Sequence, residues 1–134
     1  PAITLNMEMF NYNFGQVYEQ IGQNTVVTTN KYIKTRTPQT IRDGRHFNNQ
    51  VIGIPGGWHL HYWTTPERIS TMIQRSCHSE INSPEFTDLT HIKNSIKAGV
   101  CIFPHLGKLI PAGLRPMDPR FYEIFHKYEP KIED

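Results

Sequence analysis

The apolar residues of this 134-residue chain change their spacing along its length, and that change limits the folds open to it. Ile3, Leu5, Met7 and Met9 alternate with Thr4, Asn6 and Glu8, the period-two signature of a half-buried strand. Ile69, Met72, Ile73 and Ser76 recur at three- and four-residue intervals, which lines one side of a helix of about three turns. Thr25 to Ile33 is β-branched and reads as a second strand, with Val26 and Val27 its most apolar part. Leu89, Ile92 and Ile96 make another helical stripe, and Phe121, Ile124, Phe125 and Tyr128 a final one. Strands interleaved with short helices predict an α/β fold, a mixed sheet with helices packed on it.

Local punctuation sets the expected boundaries. Thr37 can cap a helix that opens at Pro38, whose missing N–H has no intrahelical partner at the first position. That helix should be short, because Asp43-Gly44 signals a turn. The apolar run Val51 to Ile54 breaks at Pro55-Gly56-Gly57, and Trp58 to Trp63 resumes as a strand. Thr64 and Glu67 have capping-box spacing ahead of the Ile69 helix. Asp88 or Thr87 caps the Leu89 helix, and Gly99 is placed to end it. Residues 104–119 hold four prolines and two glycines and read as loop.

Composition excludes several classes. Fourteen Lys and Arg oppose twelve Asp and Glu and are spread along the chain, so no nucleic-acid surface is indicated. Cys77 and Cys101 are too few for a disulfide scaffold and lack CxxC spacing; two reduced, buried thiols are expected. No run approaches the roughly 18 apolar residues of a bilayer span. The chain opens on Pro1 and enters a strand pattern at once, so it reads as a piece of a longer protein.

Three clusters carry possible chemistry. In Gly53-Ile54-Pro55-Gly56-Gly57-Trp58-His59, glycine permits positive φ and close approach to a ligand, Trp58 offers a flat face for a sugar or base, and His59 can bond a phosphate oxygen or a metal. The bland alternative is a tight turn leading into a core strand. His59 and His61 share one face of a strand and have the spacing of two metal ligands. His78 and Glu80 place a carboxylate beside an imidazole, which suits a general base, although a polar helix end looks the same. Arg42 and Arg45, with His46, are candidates to meet a diphosphate or simply a solvated face. His91 reads as surface and His105 as loop.

The order of these segments resembles the C-terminal half of the inverting sugar-nucleotide glycosyltransferases of family 17. The Met7-Glu8-Met9-Phe10-Asn11-Tyr12-Asn13 strand end and Thr37-Pro38-Gln39-Thr40-Ile41-Arg42 are similar to segments of that family. Gly57-Trp58-His59-Leu60 resembles its Gly-Trp-His block. Ser76-Cys77-His78-Ser79-Glu80-Ile81-Asn82 is similar to its Ser-x-His-Gln-Glu-Phe-Asn block, with Ser79 where glutamine is usual. His91-Ile92-Lys93 to Gly99 resembles the helix that follows, so the likeness runs from about Ile3 to about Leu114.

The resemblance implies a partial GT-A type (Rossmann-like) domain spanning 1–134, with the nucleotide-binding half upstream and this portion inactive alone. It implies transfer of N-acetylglucosamine from a UDP-sugar donor, in β-1,4 linkage, to a mannose of a glycan acceptor. Glu80 would be the base and His78 its orienting partner; Trp58, His59, Gly57 and Arg42 would bind donor or acceptor. A divalent metal, Mn2+ by preference, would be held mainly by an Asp-x-Asp outside this chain, which contains none, with His59 as a possible ligand. Localisation is left open: Golgi lumen for a eukaryotic protein with an upstream anchor, cytoplasm for a bacterial or viral one. Two rival readings stand beside it. One is a small metal-dependent enzyme with His59, His61 and Glu80 or His78 around zinc or iron; the other is a carbohydrate-binding module using Trp58, Tyr62 and Trp63.

Overall fold

A computed structural model describes residues 2–47, 51–113 and 119–133 of the chain. In chain order these form β1 (Ala2–Asn11), β2 (Gln16–Tyr18), β3 (Gly22–Thr28), α1 (Asn30–Ile33), α2 (Pro38–Phe47) and β4 (Val51–His61). There follow α3 (Pro66–Gln74), a 3-10 turn at Ser79–Ile81, α4 (Pro84–Thr87), α5 (Leu89–Ala98), β5 (Leu109–Pro111) and α6 (Pro119–Phe125). The fold is mixed α/β, an open antiparallel sheet with short helices. No helix among the described residues is long and apolar enough to cross a membrane.

Two compact units divide the chain, one of Pro1–Met9 and Ile21–His59, the other of Phe10–Gln20 and Leu60–Asp134. In the first, β1 pairs antiparallel with β3 from Ala2↔Thr28 to Leu5↔Thr25, then the register shifts and Met7 faces Gly22. That irregularity changes which residues are enclosed. Ala2, Thr4 and Met7 are buried, while Ile3 and Leu5 are only half-buried, because one displaced residue swaps the two faces of a strand. Thr4 tolerates burial because its hydroxyl donates to the carbonyl oxygen of Thr25 at 3.3 Å.

Strand β3 stops at Thr28, short of the expected Ile33. Thr29 caps α1 instead, its hydroxyl accepting the Tyr32 N–H at 3.3 Å, so local capping overrides β-branched propensity here. Thr37 caps α2 as expected, accepting from the Thr40 N–H at 3.1 Å. The helix then runs through Asp43-Gly44 to Phe47 rather than ending there. An interior glycine costs a helix only about 1 kcal/mol, and the Gln39 amide donating to Asp43 at 2.7 Å supports that turn.

The expected break at Pro55-Gly56-Gly57 is absent: β4 is continuous from Val51 to His61 and pairs with β1. A Cβ added at Gly53 would stand 2.9 Å from the Asn6 amide nitrogen, and one at Gly56 would stand 2.8 Å from a Leu5 methyl. Close approach to β1 therefore explains these two glycines.

In the second unit, Phe10 pairs with Val17, and β2 pairs antiparallel with β5 over Gln16↔Pro111, Val17↔Ile110 and Tyr18↔Leu109. β5 lies in the segment expected to be loop. Ile69 and Ile73 of α3 and Ile92 and Ile96 of α5 meet Tyr12, Ile102 and Phe103 in the core, whereas Met72 and Leu89 fall outside it, exposed. Thr65, not Thr64, caps α3 by accepting from the Arg68 N–H. Asp88 caps α5 through the His91 N–H at 2.8 Å, and Gly99 ends it at φ +65.

Candidate functional site

Helix α3 hands the chain to the 3-10 turn that carries Glu80, with His78 at the N-cap of that turn. The Ser76 hydroxyl accepts the His78 N–H at 3.1 Å, and the Asn82 amide donates to the carbonyl of Gln74, the last residue of α3, at 3.3 Å. Ile81 is buried in the core, so the turn is anchored from below. On its outer side Nδ1 of His78 and Oε1 of Glu80 are 2.9 Å apart, with side chains 66% and 69% exposed. The Glu80 carboxyl is held below its usual range, first by its own backbone N–H and then by the His78 ring. It is therefore ionised at neutral pH, able to accept a proton but weakly basic in this solvated setting.

Gly57, Trp58 and His59 lie consecutively on β4 in the first unit. Gly57 adopts φ +82, a left-handed value that a side chain would strain although space is open around it. Trp58 and His59 are half-buried. Burial lowers the His59 imidazole below its ordinary value, so it is neutral at pH 7 and meets a ligand by hydrogen bonding or a lone pair rather than by charge. Arg42 is exposed on α2, in the same unit. The side chains of Arg45 and His46 lie outside the described residues. His78 and Glu80 are thus brought to hydrogen-bonding distance within the second unit, and the remaining candidates belong to the first.

Among the described residues no group of three His, Cys, Asp or Glu side chains is arranged to hold a metal. His59 offers one ligand at most, so the residues described here do not make a metal centre by themselves.

Other titratable groups take places the sequence does not suggest. Cys77, expected to be buried, is exposed; only Cys101 is buried, and both are free thiols. His91, expected at the surface, is half-buried with Nε2 3.0 Å from the Ile102 carbonyl oxygen. The Tyr18 hydroxyl lies 3.4 Å from both His61 Nδ1 and Cys101 Sγ. Burial, then the neighbouring thiol, raises the Tyr18 phenol well above its ordinary range. No spacing signal marks this cluster, since Tyr18 and Cys101 are 83 positions apart.

Comparison with protein-family models, with curated proteins and with solved structures finds no match to this chain.

Proposed function

We propose that this chain is the C-terminal part of the catalytic domain of an inverting glycosyltransferase, of GT-A type, moving N-acetylglucosamine from a UDP-sugar in β-1,4 linkage to a mannose of a glycan. The observation that carries the reading is the His78–Glu80 pair, a solvent-reachable carboxylate beside an imidazole on an anchored turn. The mixed α/β fold accords with it, and so does the order of the Gly57-Trp58-His59 and His78-x-Glu80 segments.

Inversion at an α-linked donor is a single displacement. The acceptor oxygen forms a bond to the anomeric carbon as the bond from that carbon to the UDP phosphate breaks. The hydroxyl proton passes to a base, and the leaving diphosphate carries away the electron pair. Glu80 takes the proton, ionised in advance by its own N–H and His78. His78 is its positioning residue. For the first unit, taken by itself, the reading gives Trp58, His59, Gly57 and Arg42 contacts to donor or acceptor, with His59 acting as a neutral ring. A divalent cation, when bound, would neutralise diphosphate charge; its ligands would come mainly from residues other than these.

The test is Glu80→Gln in the full-length gene product, assayed with UDP-N-acetylglucosamine and a mannose-terminated glycan. Loss of a general base lowers turnover by about 10²–10⁴-fold while circular dichroism stays unchanged. Near-normal turnover by the variant removes Glu80 as base, and absence of sugar transfer by the unaltered protein removes the reading altogether.

A further inference from the structure

A cleft of about 430 Å³ opens in the second unit between the start of α3 and the chain after α6, with Trp63, Arg68, Lys127, Tyr128, Glu129 and Lys131 on its walls. We propose that this cleft binds a phosphate monoester carried on a sugar or nucleoside ring. The proposal stands on the cleft alone and does not depend on the transferase reading.

Charge argues for the phosphate. Arg68, Lys127 and Lys131 bring three cations into one concavity, and among the described residues none of them forms an ion pair. Glu129 is the acid on the walls, and its Oε1 is already engaged by the Phe14 N–H at 3.2 Å. Three cations set against the single Glu129 carboxylate leave the concavity net positive, and a bound anion offsets that excess while accepting hydrogen bonds from the cations. The N-terminus of α3 does not supply the anion site. Thr65 accepts from the Arg68 N–H, and the Glu67 carboxylate is held by its own N–H and by Thr65, so that end is already satisfied. The side-chain cations carry the recognition.

Ring geometry argues for what bears the phosphate. The Trp63 indole is fixed from two sides: its Nε1 donates to the Phe125 carbonyl oxygen at 2.9 Å, and the Phe14 ring meets it edge-on at 4.7 Å. A flat face locked in advance loses little freedom when a ring stacks on it. Tyr128 adds a second aromatic surface, more than half exposed, with the Lys127 ammonium 5.1 Å from its ring centre. A cleft of this size suits one ring plus one phosphate.

The experiment is calorimetric titration of the purified protein at low salt with three probes: inorganic phosphate, glucose 1-phosphate and uridine 5′-monophosphate. One of the two esters is expected to bind about tenfold tighter than inorganic phosphate, the margin a stacked ring supplies, and the tighter of the two identifies the ring as sugar or nucleoside. Lys127→Glu with Lys131→Glu should weaken that ester about tenfold or more, whereas Lys127→Arg with Lys131→Arg should retain it. Tyr128→Ala should weaken the ester and leave inorganic phosphate unaffected. Esters that bind no tighter than inorganic phosphate overturn the proposal, and so does an ester affinity indifferent to the double charge reversal or to Tyr128→Ala.

Discussion

The hydroxyl of Tyr12 donates to the carbonyl oxygen of Val100 at 2.9 Å, joining residues 88 positions apart. Tyr12 follows the end of β1 with φ +65, and its N–H donates to the carbonyl of His61, the end of β4, at 3.0 Å. Its ring is fully enclosed among Ile69, Ile92 and Ile102. A bulky residue in the left-handed region is unusual, and here core packing and two hydrogen bonds hold it.

Tyr12→Phe keeps the packing and deletes one bond, leaving the Val100 carbonyl without that donor. The expected loss is about 1–2 kcal/mol, read as a lower urea midpoint at unchanged slope. A variant as stable as the parent would show that water replaces the hydroxyl at no cost.

Alkaline stability should report the same cluster of phenols. Burial, then the neighbouring Cys101 thiol, pushes Tyr62 up to about 12, and Tyr12 is raised in the same direction for the same two reasons. An unfolded tyrosine ionises near pH 10, about two units lower. Below that pH both states hold the proton and the stability is fully present. As pH rises from about 10 toward 12 the unfolded state loses its proton first, and stability falls. Tyr62 alone should contribute roughly 2–3 kcal/mol to that fall by the upper limit. Melting temperatures measured between pH 8 and pH 11 should hold level and then drop, with a shallower drop in Tyr62→Phe. Equal slopes in the two proteins would contradict the assignment to Tyr62.

What was legible from residue order is whatever nearest neighbours decide. Thr37, Asp88 and Gly99 terminate helices through atoms within a few positions of themselves, and each does so as its residue type predicts. The enclosed face of β1 was not legible, because it depends on a register shift against β3 between Leu5 and Met7. Nor was β5 visible inside a proline-rich segment, since only its pairing with β2 makes it a strand. Gly56 reads as part of a strand break, yet the Leu5 side chain, some fifty positions earlier, accounts for it, as the Asn6 side chain does for Gly53. The same division runs through the site: His78 and Glu80 sit in one turn and could be paired by eye, whereas Tyr18 meets His61 and Cys101 only through the fold.

Two donors hold the Glu80 carboxyl below its ordinary range. Its carboxyl is largely exposed, desolvation works against the lowering, and the lowering itself rests on donors: its own N–H first, the His78 ring second. Removing the ring in His78→Ala should therefore raise the Glu80 titration toward its ordinary position but not all the way, because the backbone donor remains. Carboxyl carbon shifts followed by NMR from pH 2 to pH 7 measure this directly in both proteins. If the titration does not move, the 2.9 Å contact is not populated in solution, and His78 has no hold on the proposed base. If it moves fully to the unperturbed position, the N–H of Glu80 is not a donor to its own carboxylate. The intermediate result is the one that assigns His78 a positioning role, since only then do both donors act on the same carboxylate.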